Sequence, residues 1–469
     1  MSTLSAVLNW RVKTPFYYGW LVLGVVASGS FVATSIAGVV LGGIQFFIFE
    51  ETGWSRSSIG LAAAAGVWCS GVVAPFAGRL TDRYGPRSLM PCGTIFLGLA
   101  LLGLGWFHSL WYFYVATISA RAVSQPLLIG VVPRTLAVNF FRRRRNTALA
   151  LTGMFRPISG AIIIQIISIF ALTFGWRTAF SYLGLLSLAL TVPMLLVIRR
   201  RPEDIGLLPD GVLPNQTTAP SQAGSTSRTS QPAANPSGNP RVHPTVRRPT
   251  ASSEPGEINR EVSWTARSAL RTRAFWLVAL TTMLSVTGSS TIGFSMVPYL
   301  HEEANISAAA AVGVLSLSTF LSLANLGWAY LADKTTPRWS MVIALIAAGG
   351  VVLYLTLVGS IISAYAFGLM WGLVHSSLEV IVYMILAQYF GRESYGAIAG
   401  ALRPFEAGGL GLGQVLGPVI YDIFGSYSSM IAIAAALHFA AALLIFMARP
   451  PEARLTQTAA TTGVGPSLP

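Results

Sequence analysis

Long apolar runs that carry almost no charge follow one another through most of this chain. Only 10% of its 469 residues are charged and 53% are hydrophobic, whereas about a quarter of a typical soluble protein is charged. A membrane-spanning helix needs roughly 20 apolar residues, so a chain of this length has room for about a dozen spans and one sizeable loop. The sequence therefore predicts an all-α polytopic membrane protein, and it excludes a soluble enzyme and a single-pass receptor.

Gly, Pro and charged residues punctuate these runs and predict twelve transmembrane helices. The boundary between helices nine and ten is set at Gly359-Ser360, because the run from Trp339 to Leu378 is too long for one span. The first six helices are expected at 17–48, 56–78, 88–107, 110–140, 147–172 and 177–198, and the second six at 274–300, 307–331, 339–358, 361–390, 395–421 and 427–447.

A long polar segment divides the twelve helices into two sets. Residues 202–262 are rich in Pro, Ser, Thr, Asn and Gly and hold almost no large apolar residues, so they cannot bury enough surface to fold. We predict a six-helix bundle at 1–198, a largely disordered linker at 199–272, a second six-helix bundle at 273–448 and a disordered tail at 449–469.

Basic residues concentrate at every second boundary between the predicted helices. Arg142–Arg145 and Arg199–Arg201 are examples, whereas the alternate boundaries carry acids such as Glu50, Glu302 and Glu303. Because loops rich in Lys and Arg stay in the cytoplasm, both termini, the linker and the tail are predicted to be cytoplasmic. The basic residues behind the net charge of +14 therefore orient the helices in the lipid bilayer, and they indicate no nucleic-acid partner.

No enzyme chemistry is visible. Cys69 and Cys92 both lie in apolar runs, and two thiols make no metal site. The glycine-rich stretch at 408–413 lies within a predicted helix and lacks the Lys-Ser/Thr pair of a phosphate-binding loop. We expect neither catalytic activity nor a cofactor or metal.

An internal repeat relates the two sets of helices. Residues 82–87 read DRYGPR and residues 333–338 read DKTTPR, and at nearly the same offset residues 153–157 read GMFRP and residues 400–404 read GALRP. This repetition predicts two pseudo-symmetric six-helix bundles related by an axis along the membrane normal, with a substrate held near the midplane between them.

The stretch Gly78–Arg87 resembles the loop 2–3 signature of the major facilitator superfamily. In that family an aspartate and basic residues latch the bundles together at the cytoplasmic side. The resemblance implies a conformational latch made by Asp82, Arg83 and Arg87, with Asp333 at the matching place of the repeat.

Further motifs resemble the bacterial monocarboxylate and oxalate/formate antiporter-like branch, which implies a location in the bacterial inner (plasma) membrane. The animal monocarboxylate carriers place an Asp and an Arg in helix 8 and a Lys in helix 1, whereas residues 306–331 and 17–49 hold no charge here, so their substrate and coupling are not transferred. The motifs that carry this resemblance are Tyr18–Trp20, Gly53–Arg56, Phe140–Arg144, Gly175–Arg177 and Arg201–Leu207.

Arginines within the predicted helices are the candidate substrate site, because a charge at the bilayer centre costs several kcal/mol unless it is paired or wetted. Arg121 and Arg156 fall near the midplane, and no acid lies at the depth of Arg156 on helices 4 or 5. The alternative is a structural arginine that bonds to backbone carbonyls, in the case of Arg156 those freed by Pro157. Arg134 is expected to reach the cytoplasmic end of helix 4.

Arg403 is a third candidate for binding the substrate. The alternative, a structural ion pair of Arg403 with Glu406 or Glu379, remains equally open. His375 and Glu379 lie one helical turn apart and are candidates for proton coupling, as is Glu406. His438 is expected to be a packed histidine.

These residues predict a secondary active transporter that moves a small organic anion, a mono- or dicarboxylate, by alternating access, with proton coupling left open. The protein is expected to work as a monomer. A proton-coupled drug exporter is the alternative, although the unpaired acids expected on helices 1 or 4 are absent. A non-transporting membrane sensor is a third possibility, for which a large ordered soluble domain would be the clue.

Overall fold

The computed structural model describes residues 15–141, 144–208, 264–324, 328, 335–391 and 395–451. The first half contains α1 (Tyr18–Thr34 and Gly38–Thr52), α2 (Arg56–Tyr84), α3 (Pro86–Trp106), α4 (Leu110–Ser124, continued through a π-helical turn at Gln125–Gly130 into Val131–Phe140), α5 (Arg145–Phe174) and α6 (Trp176–Val197). The second half contains α7 (Arg273–Glu302), α8 (Ala308–Leu321), α9 (Pro337–Tyr354), α10 (Ile361–Phe390), α11 (Tyr395–Phe424) and α12 (Ser428–Met447).

Ten of these helices are long and apolar enough to cross a membrane. The other two are α8, of which the structure describes 14 helical residues, and α11, which carries Arg403, Glu406 and many glycines. The prediction of an all-α polytopic membrane protein with twelve helices is confirmed. Most of the predicted linker and tail lies outside the described residues.

The packing of the helices repeats between the two halves. In the first bundle α1 packs on α5, α2 on α4 and α3 on α6, and in the second α7 packs on α11, α8 on α10 and α9 on α12. Between the bundles α2 contacts α11, α5 contacts α8, and α1 contacts α7. Exchanging the halves maps each of these contacts onto another or onto itself, which confirms two pseudo-symmetric bundles.

The helix ends lie at two opposite faces of the molecule. The terminal face is where α1 begins at Tyr18 and α12 ends at Met447, and the distal face is where α1 ends at Thr52 and α2 begins at Arg56. The terminal face corresponds to the side that the sequence predicts to be cytoplasmic.

Helix α1 is broken at residues 35–37, which corrects the single helix predicted at 17–48. Ala37 is extended, and the hydroxyls of Thr34 and Ser35 donate to the carbonyls of Ser30 and Val32 at 2.7 and 2.6 Å. Such local hydrogen bonds compete with the helical ladder. The first segment packs on α5 and α6 of its own bundle, and the second packs mainly on α7 of the other.

Glycine permits the contact between α1 and α7. A Cβ atom at Gly42 would lie 2.5 Å from the carbonyl oxygen of Phe294, far inside van der Waals contact. The same carbonyl accepts a hydrogen bond of 2.6 Å from Gln45 Nε2. The bundles therefore touch backbone to backbone here, where no side chain can intervene.

The substitution Gly42→Ala is accordingly expected to lower the thermal midpoint of the purified protein in detergent by several degrees, because overpacking costs about 1–3 kcal/mol. Gly24→Ala is the matched control in the same helix, since nothing lies within 4 Å of a Cβ atom there. Equal midpoints for the two variants, measured by tryptophan fluorescence, would contradict this account of the contact.

Candidate functional site

Four arginines of α4, α5 and α11 are linked in pairs by electrostatic repulsion. Arg121 and Arg156 repel each other, as do Arg134 and Arg156, and Arg134 also repels Arg403 of the second bundle. At about 1.5 Å per residue, Arg121 lies roughly 16 Å from the distal end of α4 and Arg156 roughly 16 Å from the terminal end of α5. Of the predicted substrate arginines, Arg121 and Arg156 are therefore close enough to repel each other, whereas Arg403 is linked to Arg156 only through Arg134.

Arg121 is the most deeply buried of these arginines, with 3% of its surface exposed. Gly66 of α2 makes this position available, because a Cβ atom on Gly66 would lie 2.9 Å from Cβ of Arg121. Its Nε and Nη1 atoms are buried and have no hydrogen-bond partner among the described residues. The backbone hydrogen bonds that would mark a purely structural arginine are therefore absent there.

The same face of α4 carries further buried polar atoms without partners. They are Thr117 Oγ1, Ser124 Oγ and Gln125 Oε1, each about one helical turn from Arg121. The π-helical turn begins at Gln125, where Pro126 has no N–H to donate, and Ser30 of α1 donates to the carbonyl of Leu128 at 2.7 Å. Insertions of this kind are frequent at functional sites.

Arg156 differs from Arg121 in being exposed. Its side chain makes no hydrogen bond to a described residue, so the proposed bonding to carbonyls freed by Pro157 does not occur within the described part of the chain. An exposed guanidinium without a partner among the described residues is suited to binding an anion.

Arg403 forms the ion pair that the sequence left open. Its Nη1 lies 2.8 Å from Glu406 Oε2, and the Tyr383 hydroxyl donates to the other oxygen of the same carboxylate. The Arg403 guanidinium also lies 5.4 Å from the centre of the Tyr383 ring. Glu406 therefore compensates Arg403, whereas Arg121, Arg134 and Arg156 have no such partner among the described side chains.

The candidates for proton coupling lie on α10 and α11. His375 stacks on Trp371 with ring centres 5.3 Å apart, and Trp371 meets His438 edge to face at 6.0 Å. His438 is fully buried, bonded to Ser289 at 3.1 Å and to the Ala434 carbonyl at 2.7 Å, in keeping with a packed histidine. The side chain of Glu379 lies outside the described part, so its assignment stays a prediction.

The latch implied by the family resemblance also stays a prediction. Asp333 and the Asp82 side chain lie outside the described part of the chain. Arg83 is exposed at the terminal face, 5.3 Å from the centre of the Tyr84 ring, and Arg87 is half-buried.

A distal lock, formed by Arg56, Glu302 and Tyr427, joins the two bundles at the opposite face. Arg56 Nη2 lies 2.6 Å from Glu302 Oε1, and Nη1 donates to the Tyr427 hydroxyl at 2.6 Å. The Arg56 guanidinium also lies 4.0 Å from the centre of the Tyr421 ring, and only 3% of the Arg56 side chain is exposed. Burial raises the pKa of Tyr427 despite the opposing effect of Arg56, so this hydroxyl stays neutral.

Backbone contacts reinforce the distal lock. The Ser57 N–H donates to Asp422 at 2.9 Å, and the Tyr427 N–H donates to Glu303. Sequence reasoning missed this site, although a signal was present. Arg56 is the first residue of one predicted helix, and Glu302 and Glu303 lie at the end of another. Both helix ends are at the distal face, and their charges are opposite.

A second ion pair on the distal face stays within the first bundle. Arg177 of α6 lies 2.6 Å from Glu51 at the end of α1, and it donates to the carbonyls of Leu104 in the last turn of α3 and Phe107 directly after it. It ties three helix ends together without crossing to the other bundle.

A small cavity of about 290 Å³ lies between α1 and α5. Phe155 and Ser159 on either side of Arg156 contribute to its wall, opposite Ser28 and Phe31. Ser28 donates to its own helix at 2.7 Å, so the surface offered is mostly apolar.

Comparison with known proteins places this architecture. The sequence model of the Major Facilitator Superfamily matches residues 23–403 and, in an overlapping match, residues 278–467. A bacterial homologue of the human lysosomal transporter Spinster, solved in an inward-facing and unoccupied conformation, aligns with a TM-score of 0.67 over 94% of this chain and 100% of that one, at 13% identity. This likeness concerns the fold.

Closer sequence relatives match only in part. The membrane sensor protein UhpC of Salmonella typhimurium is 31% identical over 157 residues, 34% of this chain and 35% of UhpC. The phosphoglycerate transporter protein of the same organism is 25% identical over 121 residues, 26% of each chain. The chain thus spans about a third or less of the length of these two curated relatives.

Proposed function

Because the chain belongs to the Major Facilitator Superfamily, we propose that it is a secondary active transporter that carries a small organic anion, a mono- or dicarboxylate, by alternating access. One observation carries the proposal. Arg156 repels both Arg121 and Arg134, none of these three arginines has a compensating acid among the described side chains, and Arg156 itself is exposed. The fourth, Arg403, is already paired.

The arrangement supports a simple cycle. In this conformation the distal lock closes one face, and the described hydrogen bonds between the bundles lie in the distal half of the molecule. An anion entering from the terminal face meets Arg156 first and neutralises part of the repulsion among the arginines. Charge neutralisation on binding lowers the cost of bringing the terminal halves of the bundles together, so that the distal face opens in turn.

Two finer assignments belong to the same proposal. We place the terminal face in the cytoplasm of a bacterial cell, on the strength of the basic residues at that side. His375 and Glu379 are the proposed proton carriers, supported by the position of His375 on α10 and by its stacking on Trp371. The functional unit is proposed to be a monomer.

A second candidate function is membrane sensing without net transport, which is favoured by the partial similarity to UhpC. A drug exporter has less support, because Glu406, an acid of the candidate site, is bound to Arg403 and Tyr383. The sensor and the transporter differ in one measurable respect, the flux of substrate.

We expect proteoliposomes that contain the purified protein to accumulate a radiolabelled carboxylate from a panel of mono- and dicarboxylates. Parallel runs with and without an inward proton gradient test the coupling. Protein-free liposomes and an Arg156→Gln protein are the controls. Saturable, specific binding of a carboxylate without any flux would favour the sensor, and the absence of binding would refute an anion site.

A further inference from the structure

Building on the proposed function, we infer that α4 provides a second, buried anion subsite around Arg121, so that the preferred substrate is a compact dianion. One acidic group would lie at the exposed Arg156 and the other at Arg121. The second acid is a carboxylate or a phosphoryl group, since both offer oxygens to a guanidinium.

The first argument is the set of unpaired donors. Arg121 Nε and Nη1 and the hydroxyls of Thr117 and Ser124 are buried and lack partners among the described residues. Leaving a buried polar group unpaired costs about 1–3 kcal/mol, and more for a charged one. An anionic group that accepts from these donors removes that cost, which no apolar substrate tail could do.

The second argument is charge. A monoanion that stays at Arg156 leaves Arg121 buried and unpaired, whereas a monoanion at Arg121 leaves Arg156 still repelled by Arg134. Two acids on one small molecule compensate both positions at once. Because Arg403 is already paired with Glu406, the uncompensated arginines among the described residues lie on α4 and α5 of the first bundle.

The third argument is the space made for the Arg121 side chain. Its stem passes over Gly66, with Cβ and Cγ at 2.9 and 3.1 Å from where a Cβ atom on Gly66 would lie. A methyl group there displaces the stem without changing any charge. Gly71 on the same helix is open, with its nearest neighbour at 4.0 Å, and serves as the matched control.

Isothermal titration of the full-length protein with three probes of equal chain length tests the inference. Butyrate carries one carboxylate, succinate carries two, and 3-phosphonopropionate carries one carboxylate and one phosphonate. We expect one of the two dianions to bind the unmodified protein at least tenfold more tightly than butyrate, and the better of them identifies the second acid.

Variants assign that preference to Arg121. In Arg121→Gln the ratio of dianion to butyrate affinity should fall to about one. In Gly66→Ala the ratio should fall part of the way, and in Gly71→Ala it should stay that of the unmodified protein. Thermal midpoints within a few degrees establish that each variant is folded, and Arg121→Lys provides a second variant that keeps the charge.

Three outcomes would contradict this inference, and they bear differently on the proposed function. Equal affinities for butyrate and both dianions in the unmodified protein, each lost in Arg156→Gln, would overturn the dianion subsite and leave the anion transporter standing. No binding of any probe would count against both. A dianion preference that survives in Arg121→Gln would also overturn the assignment to α4.

Discussion

Replacing Arg156 by glutamine is expected to weaken carboxylate binding about 30-fold, equivalent to about 2 kcal/mol. An arginine offers a carboxylate two parallel charge-assisted hydrogen bonds, and glutamine offers neither the charge nor the paired geometry. Arg156→Lys should lie between the two, because it keeps the charge and loses the planar fork. Titration calorimetry with a carboxylate that the transport screen has identified provides the measurement.

The matched control for Arg156 is Arg271→Gln, which removes an exposed arginine in the short connection before α7. This variant is expected to bind with the affinity of the unmodified protein. Unchanged affinity in a folded Arg156→Gln protein would exclude Arg156 from the anion site and leave that site to Arg121.

Breaking the distal lock is expected to shift the protein towards a state open at the distal face. Arg56→Gln leaves Glu302 without its partner in the closed arrangement, and removing one member of a buried pair costs about 3 kcal/mol. That cost is relieved when the face opens and water reaches the carboxylate. The equilibrium should therefore change by a factor on the order of 100.

Cysteine labelling measures this shift. Gln414 is buried on α11, where its side-chain amide lies against Gly38 of α1, so Gln414→Cys in a background of Cys69→Ser and Cys92→Ser reports opening through its reaction with an impermeant maleimide. Arg177→Gln is the control, because it breaks an ion pair of equal length on the same face within one bundle. Equal labelling rates in the Arg56 and Arg177 variants would show that the lock does not hold the bundles.

Interactions that the sequence makes visible are those between neighbours along the chain. The ion pair of Arg403 with Glu406 spans three residues, and the boundary at Gly359-Ser360 is marked by its own residues, so both could be anticipated. The lock joins Arg56 to a residue 246 positions away. No local sequence pattern predicts such a pair. The opposite charges indicate only that the two helix ends lie at the same face of the molecule.

Other features depend on an environment that the sequence does not encode position by position. The break in α1 lies inside an uninterrupted apolar run, so hydropathy predicts one helix there. Arg121 was recognised as an intramembrane charge, but its lack of partners follows from how α2 and α4 meet at Gly66. The absence of a contact is a property of the packed structure.

The burial of Arg56 has a consequence for how salt acts on the protein. Exposed charges are screened over a Debye length of about 8 Å at physiological ionic strength, whereas buried pairs are screened much less. Only 3% of the Arg56 side chain is accessible, whereas Arg156 is exposed. Raising the ionic strength should therefore slow the binding of an anion and leave the strength of the distal lock nearly constant. A salt titration of uptake thus separates loading from gating in the unmodified protein.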